Sequence, residues 1–223
     1  GKKDLVTNLA TLTATEAQIT ALTSSATAVT NLEAAVGLAL TVEDNLTDAD
    51  SKLTTAYSTF ASITAGGAKG VLADRFNTAS QTVRSAAIAF DKAALVDDSI
   101  KGGNSDLSSI TTALTNPLPA SGSHGTTVNW SSSNTAVVSN DGQTINRPTF
   151  ASGDATITFG ASISRNCLGV SGNNGGGGGC GGSSEDTKTF TLIVLKLPAS
   201  TVTTITSATY TVSSGGTASE TIT

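Results

Sequence analysis

Apolar residues recur through the first hundred positions at the steps of an α-helix. From residue 4 to about 40, Leu5, Leu12, Ile19, Ala26 and Leu40 fall on a seven-residue repeat, with Leu22, Val29 and Val36 on the adjoining row, which predicts one long helix. Thr41 and Asp44 offer a capping pair for a second helix, in which Val42, Leu46, Ala49, Leu53, Ala56, Phe60 and Ile63 alternate steps of four and three up to Gly66-Gly67. Leu72, Phe76, Ala79, Val83, Ala86 and Phe90 repeat the pattern in a third, which fades into Asp97-Asp98 and Gly102-Gly103. Short connections between three such segments predict an antiparallel three-helix bundle over residues 1–100. Threonine is frequent in it and lowers helix propensity by several tenths of a kcal/mol per residue relative to Ala, so these helices depend on packing. Their Ala and Leu rows suit packing within one chain or across subunits, and the pattern does not separate the two.

Beyond residue 104 the period changes to two, with turn signals between short β-branched runs. Strands are predicted over 107–114, 126–131, 135–138, 143–146, 154–164 and 187–196. In the strand 154–164, Ala155, Ile157, Phe159, Ala161 and Ile163 face one way and Thr156, Thr158, Gly160 and Ser162 the other, so one face is buried and one wet. Asn140-Asp141-Gly142 is a hairpin turn joining Ala136-Val137-Val138 to Gln143-Thr144-Ile145. No helical pattern separates the strands, which predicts an immunoglobulin-like antiparallel β-sandwich over residues 104–197, with Trp130 as its core anchor. Residues 198–223 form a Thr-rich tract with the alternating run Ala208-Thr209-Tyr210-Thr211-Val212, which reads as a β extension or the start of a further module. The chain is thus an α+β, multidomain one.

Composition narrows the function. Of 223 residues 38% are hydrophobic but only 4% aromatic, and charged residues are 13%, about half the usual share, so Ser and Thr make up the exterior. A net charge of -5, with 12 scattered Lys and Arg, lacks the basic patch that a phosphate backbone requires, and nucleic acid is excluded as a partner. No run approaches the roughly 18 apolar residues of a membrane span, so membrane insertion is not expected. Gly1-Lys2-Lys3 has no apolar stretch behind it, and a secreted form would already have lost its signal.

The stretch Val128-Asn129-Trp130-Ser131-Ser132-Ser133-Asn134, with Val137-Val138-Ser139-Asn140-Asp141-Gly142, Arg147-Pro148, Gly153-Asp154-Ala155-Thr156-Ile157-Thr158 and Asp186-Thr187-Lys188-Thr189-Phe190-Thr191, resembles the atrophied bacterial immunoglobulin-like domains. The resemblance covers roughly residues 96–196. It implies a spacer or interaction module of a large bacterial surface or secreted protein, and hence a secreted, extracellular or cell-surface location. Cys167 to Ser184 departs from the family pattern as an insertion. The final tract looks like the opening of another repeat of such proteins, whereas the first hundred residues match no family.

Candidate chemistry is sparse. Cys167 and Cys180 bracket a Gly-rich loop and are expected to form a disulfide, free thiols being the alternative; a zinc site would need two further ligands. Gly175 to Gly179 lacks the Gly-Lys-Ser or Gly-Lys-Thr of a phosphate cradle. His124, between Ser123 and Gly125, reads as an exposed loop histidine rather than a triad member. No cofactor is expected; calcium is the metal an acidic secreted chain leaves open, with donors at Asp97-Asp98, Asp141, Asp154 and Glu185-Asp186 but no Asp-x-Asp-x-Asp-Gly loop. With neither paired acids nor a nucleophile beside a base, the chain reads as no enzyme. The expectation is a structural subunit or module of an S-layer, surface fibre or stalk, associating with itself or with neighbouring modules, with Thr209, Tyr210, Thr211 and Val212 as an assembly strand. The alternative is an adhesin or carbohydrate-binding accessory module using the Cys167–Cys180 loop.

Overall fold

A computed structural model describes residues 2–64, 66–171, 184–200, 208–212 and 216–220. The apolar steps of four and three produce α1 (Lys2–Val36), α2 (Glu43–Thr59, closed by a 3-10 turn at Phe60–Ser62) and α3 (Gly67–Ala94). Ser25, Val29, Leu32 and Ala35 of α1, Leu46, Ala49, Leu53 and Ala56 of α2, and Leu72, Phe76, Ala79 and Val83 of α3 are buried in the same core. The helices run up, down and up. Gln18 of α1 accepts from the backbone N–H of Thr64 just past α2, while Arg75 of α3 reaches Glu33 near the end of α1. Threonine hydroxyls along α1 turn back onto the carbonyl four residues earlier, as from Thr11 to Thr7 and from Thr27 to Thr23, so the Thr-rich helix keeps its polar groups paired without a partner element.

Three details differ from the pattern-based expectation. The seven-residue repeat does not lie in the core along its whole length: Leu5, Leu12 and Ile19 are 71, 55 and 59% exposed, and only the part of α1 from about Gln18 onward meets α2 and α3. No Thr41 cap exists; α2 follows Val42, with no side-chain cap, and carries Glu43 and Asp44 in its first turn, where the helix dipole favours acids. The third helix begins at Gly67 itself and continues to Ala94, beyond the end of α1.

That overhang of α3 roofs a second core. Strands β1 (Thr127–Ser132), β2 (Ala155–Ser164) and β3 (Glu185–Val194) form an antiparallel sheet in the order β1-β2-β3, with Trp130 opposite Ala161 and Phe159 opposite Phe190. Ile157, Phe159, Ala161, Ile163, Phe190, Leu192, Val194 and Val128 line its inner face. Facing them are Ile88 of α3, Leu95, Ile100 of the one-turn α4 (Asp97–Ile100), and Leu107, Ile110, Leu114, Leu118 and Val138 from irregular chain.

The opposing layer is therefore not a second sheet. Of the expected strands 107–114, 135–138 and 143–146, only single bridges remain, Ile110 to Val194 and Val138 to Ile145. The reason at 107–114 is a buried side chain: Asn104 Oδ1 accepts the backbone N–H groups of Thr111 and Thr112, and its Nδ2 donates to the carbonyls of Lys101 and Thr112. One amide thus occupies the backbone groups that a strand would offer to a ladder. The turn at Asn140-Asp141-Gly142 is present, with Gly142 alone at positive φ (67°) and Gly142 N–H donating to Ser139 O over 2.9 Å.

No linker separates helices from sheet near residues 100–104, since Ile100 is fully buried and α3 contributes Val83 to one core and Ile88 to the other. In the final tract, β4 (Ala208–Val212) and β5 (Gly216–Glu220) pair antiparallel, Tyr210 opposite Ala218, and among the described residues they join no strand of the first sheet.

Candidate functional site

The polar chemistry of the chain gathers where the two cores meet. Asp91 lies in the last turn of α3, four and eight residues after the buried Ala87 and Val83, which turns it inward, and it is 3% exposed. Its carboxylate accepts from Ser123 Oγ (3.1 Å), from the His124 backbone N–H (3.2 and 3.3 Å) and from Thr126 Oγ1 (2.7 Å), anchoring the loop that leads into β1. Gly122 is required there, because a Cβ at that position would lie 2.1 Å from Asp91 Cγ.

His124 is not the exposed loop residue expected. Asp91 pulls its loop inward, leaving it 7% exposed with its ring edge-on to Phe90 at 4.8 Å between centroids. Its Nδ1 lies 3.9 Å from Asp50 Oδ2 of α2, and its Nε2 is buried without a hydrogen-bond partner among the described residues. The other oxygen of Asp50 accepts from Arg165 Nη2 at 2.5 Å, where the chain leaves β2. Serine, histidine and acids do meet here, yet the Ser123 hydroxyl donates to Asp91 rather than to the imidazole, so they are not arranged as a Ser-His-acid relay. The cluster bolts α2 and α3 to the sheet.

The insertion after β2 supplies a second joint. Val170 is buried in the helical core with Leu168 packed beside it; Asn77 of α3 exchanges hydrogen bonds with both backbone groups of Val170, and Ser80 Oγ donates to Leu168 O at 2.7 Å. Cys167 lies at the root of this run, its Sγ 3.3 Å from Ser80 Oγ. Its expected partner, Cys180, lies outside the described residues, as do residues 172–183 in general. A third joint is Lys92, which holds Asp186 of β3 at 2.8 Å; that hydrogen bond, then the backbone N–H of Thr187, keeps the Asp186 carboxyl below its ordinary range.

The remaining expected residues fall elsewhere. Trp130 is half-buried at the rim of the sheet core, stacked on Phe159 (5.3 Å) and donating through Nε1 to Pro119 O (2.8 Å); the fully buried Phe159 holds the centre. The indole needs an acceptor, which the rim provides and the centre does not. Thr209, Tyr210, Thr211 and Val212 lie in β4. The acids named for calcium are dispersed: Asp98 pairs with Lys101, Asp141 closes its own turn with Ser139, Asp154 accepts the Lys196 backbone N–H, and Asp186 binds Lys92. Among the described residues no three His, Cys, Asp or Glu side chains come together as a metal site needs, and no helix is long and apolar enough to cross a membrane.

Residues 88–170 match the family model of the atrophied bacterial Ig domain. The chain carries such a domain. The Ig match begins inside α3, at the residue that roofs the sheet core, so the end of that helix belongs to the module by packing as well as by similarity. It stops at Val170, where the insertion intervenes, and β3 completes the sheet from beyond it. A comparison with curated proteins gave no match. Sequence reasoning missed Asp50, Asp91, Asn77 and Arg165. An acid four and eight residues beyond two apolar core positions was a legible signal for Asp91; nothing comparable marked the others.

Proposed function

We propose that the chain is a non-catalytic structural module of a bacterial extracellular assembly, such as an S-layer, surface fibre or stalk. The observation that carries this reading is the hairpin β4–β5, whose strands pair only with each other among the described residues. A two-stranded sheet is marginal alone, and its outer edges are templates for another strand. Residues 201–223 add to the sheet edge of a neighbouring subunit, and the mechanical load then passes into a body whose polar residues are spent on joints. Asp50, Asp91, Lys92 and Asn77 all tie one half to the other, which suits a spacer that must not hinge.

The test is electron microscopy of the purified chain over a range of concentrations, with and without residues 201–223. Ordered filaments or sheets that vanish on deletion support strand addition. Filaments that form equally well without those residues overturn it.

A further inference from the structure

Two strands flank β2, and each has an outer edge. In an antiparallel ladder the N–H and C=O of one residue point to the same side and those of the next to the other, so every second residue of an edge strand faces away from its sheet. On β3, Ile193 donates to Leu107 O and accepts from the Ile110 N–H, so the odd-numbered residues are the outward ones. Thr187, Thr189 and Thr191 therefore turn their backbone away from β2. The Thr187 N–H is taken by the Asp186 carboxylate. The Thr187 carbonyl and both groups of Thr189 and Thr191 bond no other described residue, and all three residues are exposed.

The other edge is nearly closed. On β1 the outward residues are Val128, Trp130 and Ser132; Ala120 O holds the N–H of the first and Asn140 Oδ1 that of the last, which leaves a gap only at Trp130. The second half of β3 is covered by residues 107–110. One stretch long enough for a strand stays open, residues 187–191 of β3.

Edge strands are commonly guarded by a charge, a proline or a bulge. Here the ladder to β2 runs unbroken, the outward positions are all threonine, and the charges between them turn inward, Asp186 to Lys92 and Lys188 to the Lys92 carbonyl. A row of backbone donors and acceptors at the β repeat recognises one chemistry, an extended strand, because only a strand presents the matching row.

The chain itself carries such a strand. β4 is five residues long, equal to the opening, and pairs with nothing but β5 among the described residues. It holds the β-branched and aromatic residues Thr209, Tyr210, Thr211 and Val212, whereas β5 reads Gly-Thr-Ala-Ser-Glu, so β4 is the better strand to place inside a sheet. The chain leaving β3 is pinned past the end of the sheet: Asp154 Oδ1 accepts the Lys196 N–H, Arg147 donates to Leu195 O, and the Leu197 N–H donates to Pro148 O. To reach the opening, its own β4 would have to double back past residues 107–110.

We propose that the open edge 187–191 of β3 receives β4 of a second copy, which rests on the reading of residues 201–223 as an assembly segment and supplies the surface that receives it. The three-stranded sheet and the hairpin then form five continuous strands across the contact. Donor and receiver are different surfaces, so each copy gives one strand and takes one, and the contact propagates.

Amide hydrogen exchange of the full chain at rising concentration tests it. The Thr189 and Thr191 amides slow together, roughly tenfold at ten times the Kd, while those of Phe190 and Leu192, which face β2, do not change. Thr189→Pro removes only an outward N–H, as an edge position permits, and lowers the affinity at least about tenfold by stranding the incoming carbonyl. Thr191→Lys keeps every N–H and puts a charge on the edge, and it serves should proline disturb the strand. In a mixture of the Thr189→Pro chain with a chain lacking residues 201–223, neither of which assembles alone, Thr189 and Thr191 of the truncated copy become protected and growth stops at pairs. Exchange that does not slow, or variants that assemble as the parent does, overturn the contact; protection that ignores concentration does so too, because it puts the chain's own hairpin on the edge. If deletion of 201–223 abolishes filaments while both edge variants leave them intact, strand addition stands and this edge falls. Filaments that survive the deletion remove both.

Discussion

Replacing Asp91 by Ala removes the acceptor around which the loop into β1 is folded. The His124 N–H and the Thr126 hydroxyl, in residues 7 and 1% exposed, are left without a partner, whereas Ser123 is exposed and turns to water. Each stranded buried group costs about 1–3 kcal/mol, which sums to about 3–4 kcal/mol at central values. A negative charge in the last turn of α3 opposes the helix dipole, so its removal returns about 0.5 kcal/mol. The expected net loss is about 3 kcal/mol. Urea denaturation followed by circular dichroism should show the midpoint falling by about 1.5 M at unchanged slope, and the melting temperature should fall by about 6–12 °C for a body of this size. Asp91→Asn, which keeps one oxygen but turns donors toward donors, should fall between the parent and Ala. A loss below about 1 kcal/mol would mean that the loop finds other acceptors, and that Asp91 does not hold it.

Two further outcomes follow from the same geometry. Asn104→Ala removes the acceptor of the Thr111 and Thr112 N–H groups, in residues that are themselves exposed, so water takes over part of the pairing and chemical denaturation should report a loss of about 1–2 kcal/mol; near neutrality would show that residues 107–114 re-form a strand without the amide. Lys92→Met removes the hydrogen bond that depresses the Asp186 carboxyl. Because the folded-state value lies below the unfolded one, the stabilisation is complete above the ordinary carboxylate range near pH 4 and is lost as pH falls through the depressed value. The melting-temperature gap between parent and variant should therefore be constant above about pH 5 and close in acid; it should be small, since both side chains are partly exposed and salt screens the pair. A gap that widens in acid contradicts the assignment.

Local periodicity alone determined what depends on neighbours along the chain. The rows Leu46-Ala49-Leu53-Ala56 and Leu72-Phe76-Ala79-Val83 could be read as buried helix faces, and Ile157-Phe159-Ala161-Ile163 as the buried face of a strand, because each encodes its partner face in its own spacing. The turn at Gly142 was equally local. Tertiary structure alone decided which apolar rows find partners. Leu5, Leu12 and Ile19 have the same spacing as core residues, yet α2 and α3 extend only as far back as Gln18, so the stripe stays bare. Residues 107–114 alternate like a strand, but Asn104 competes for their backbone from outside the segment. His124 and Asp91 are 33 residues apart, and Arg165 and Asp50 115. A carboxylate is buried only if donors converge on it from several elements, a condition on positions in space that no one-dimensional pattern carries.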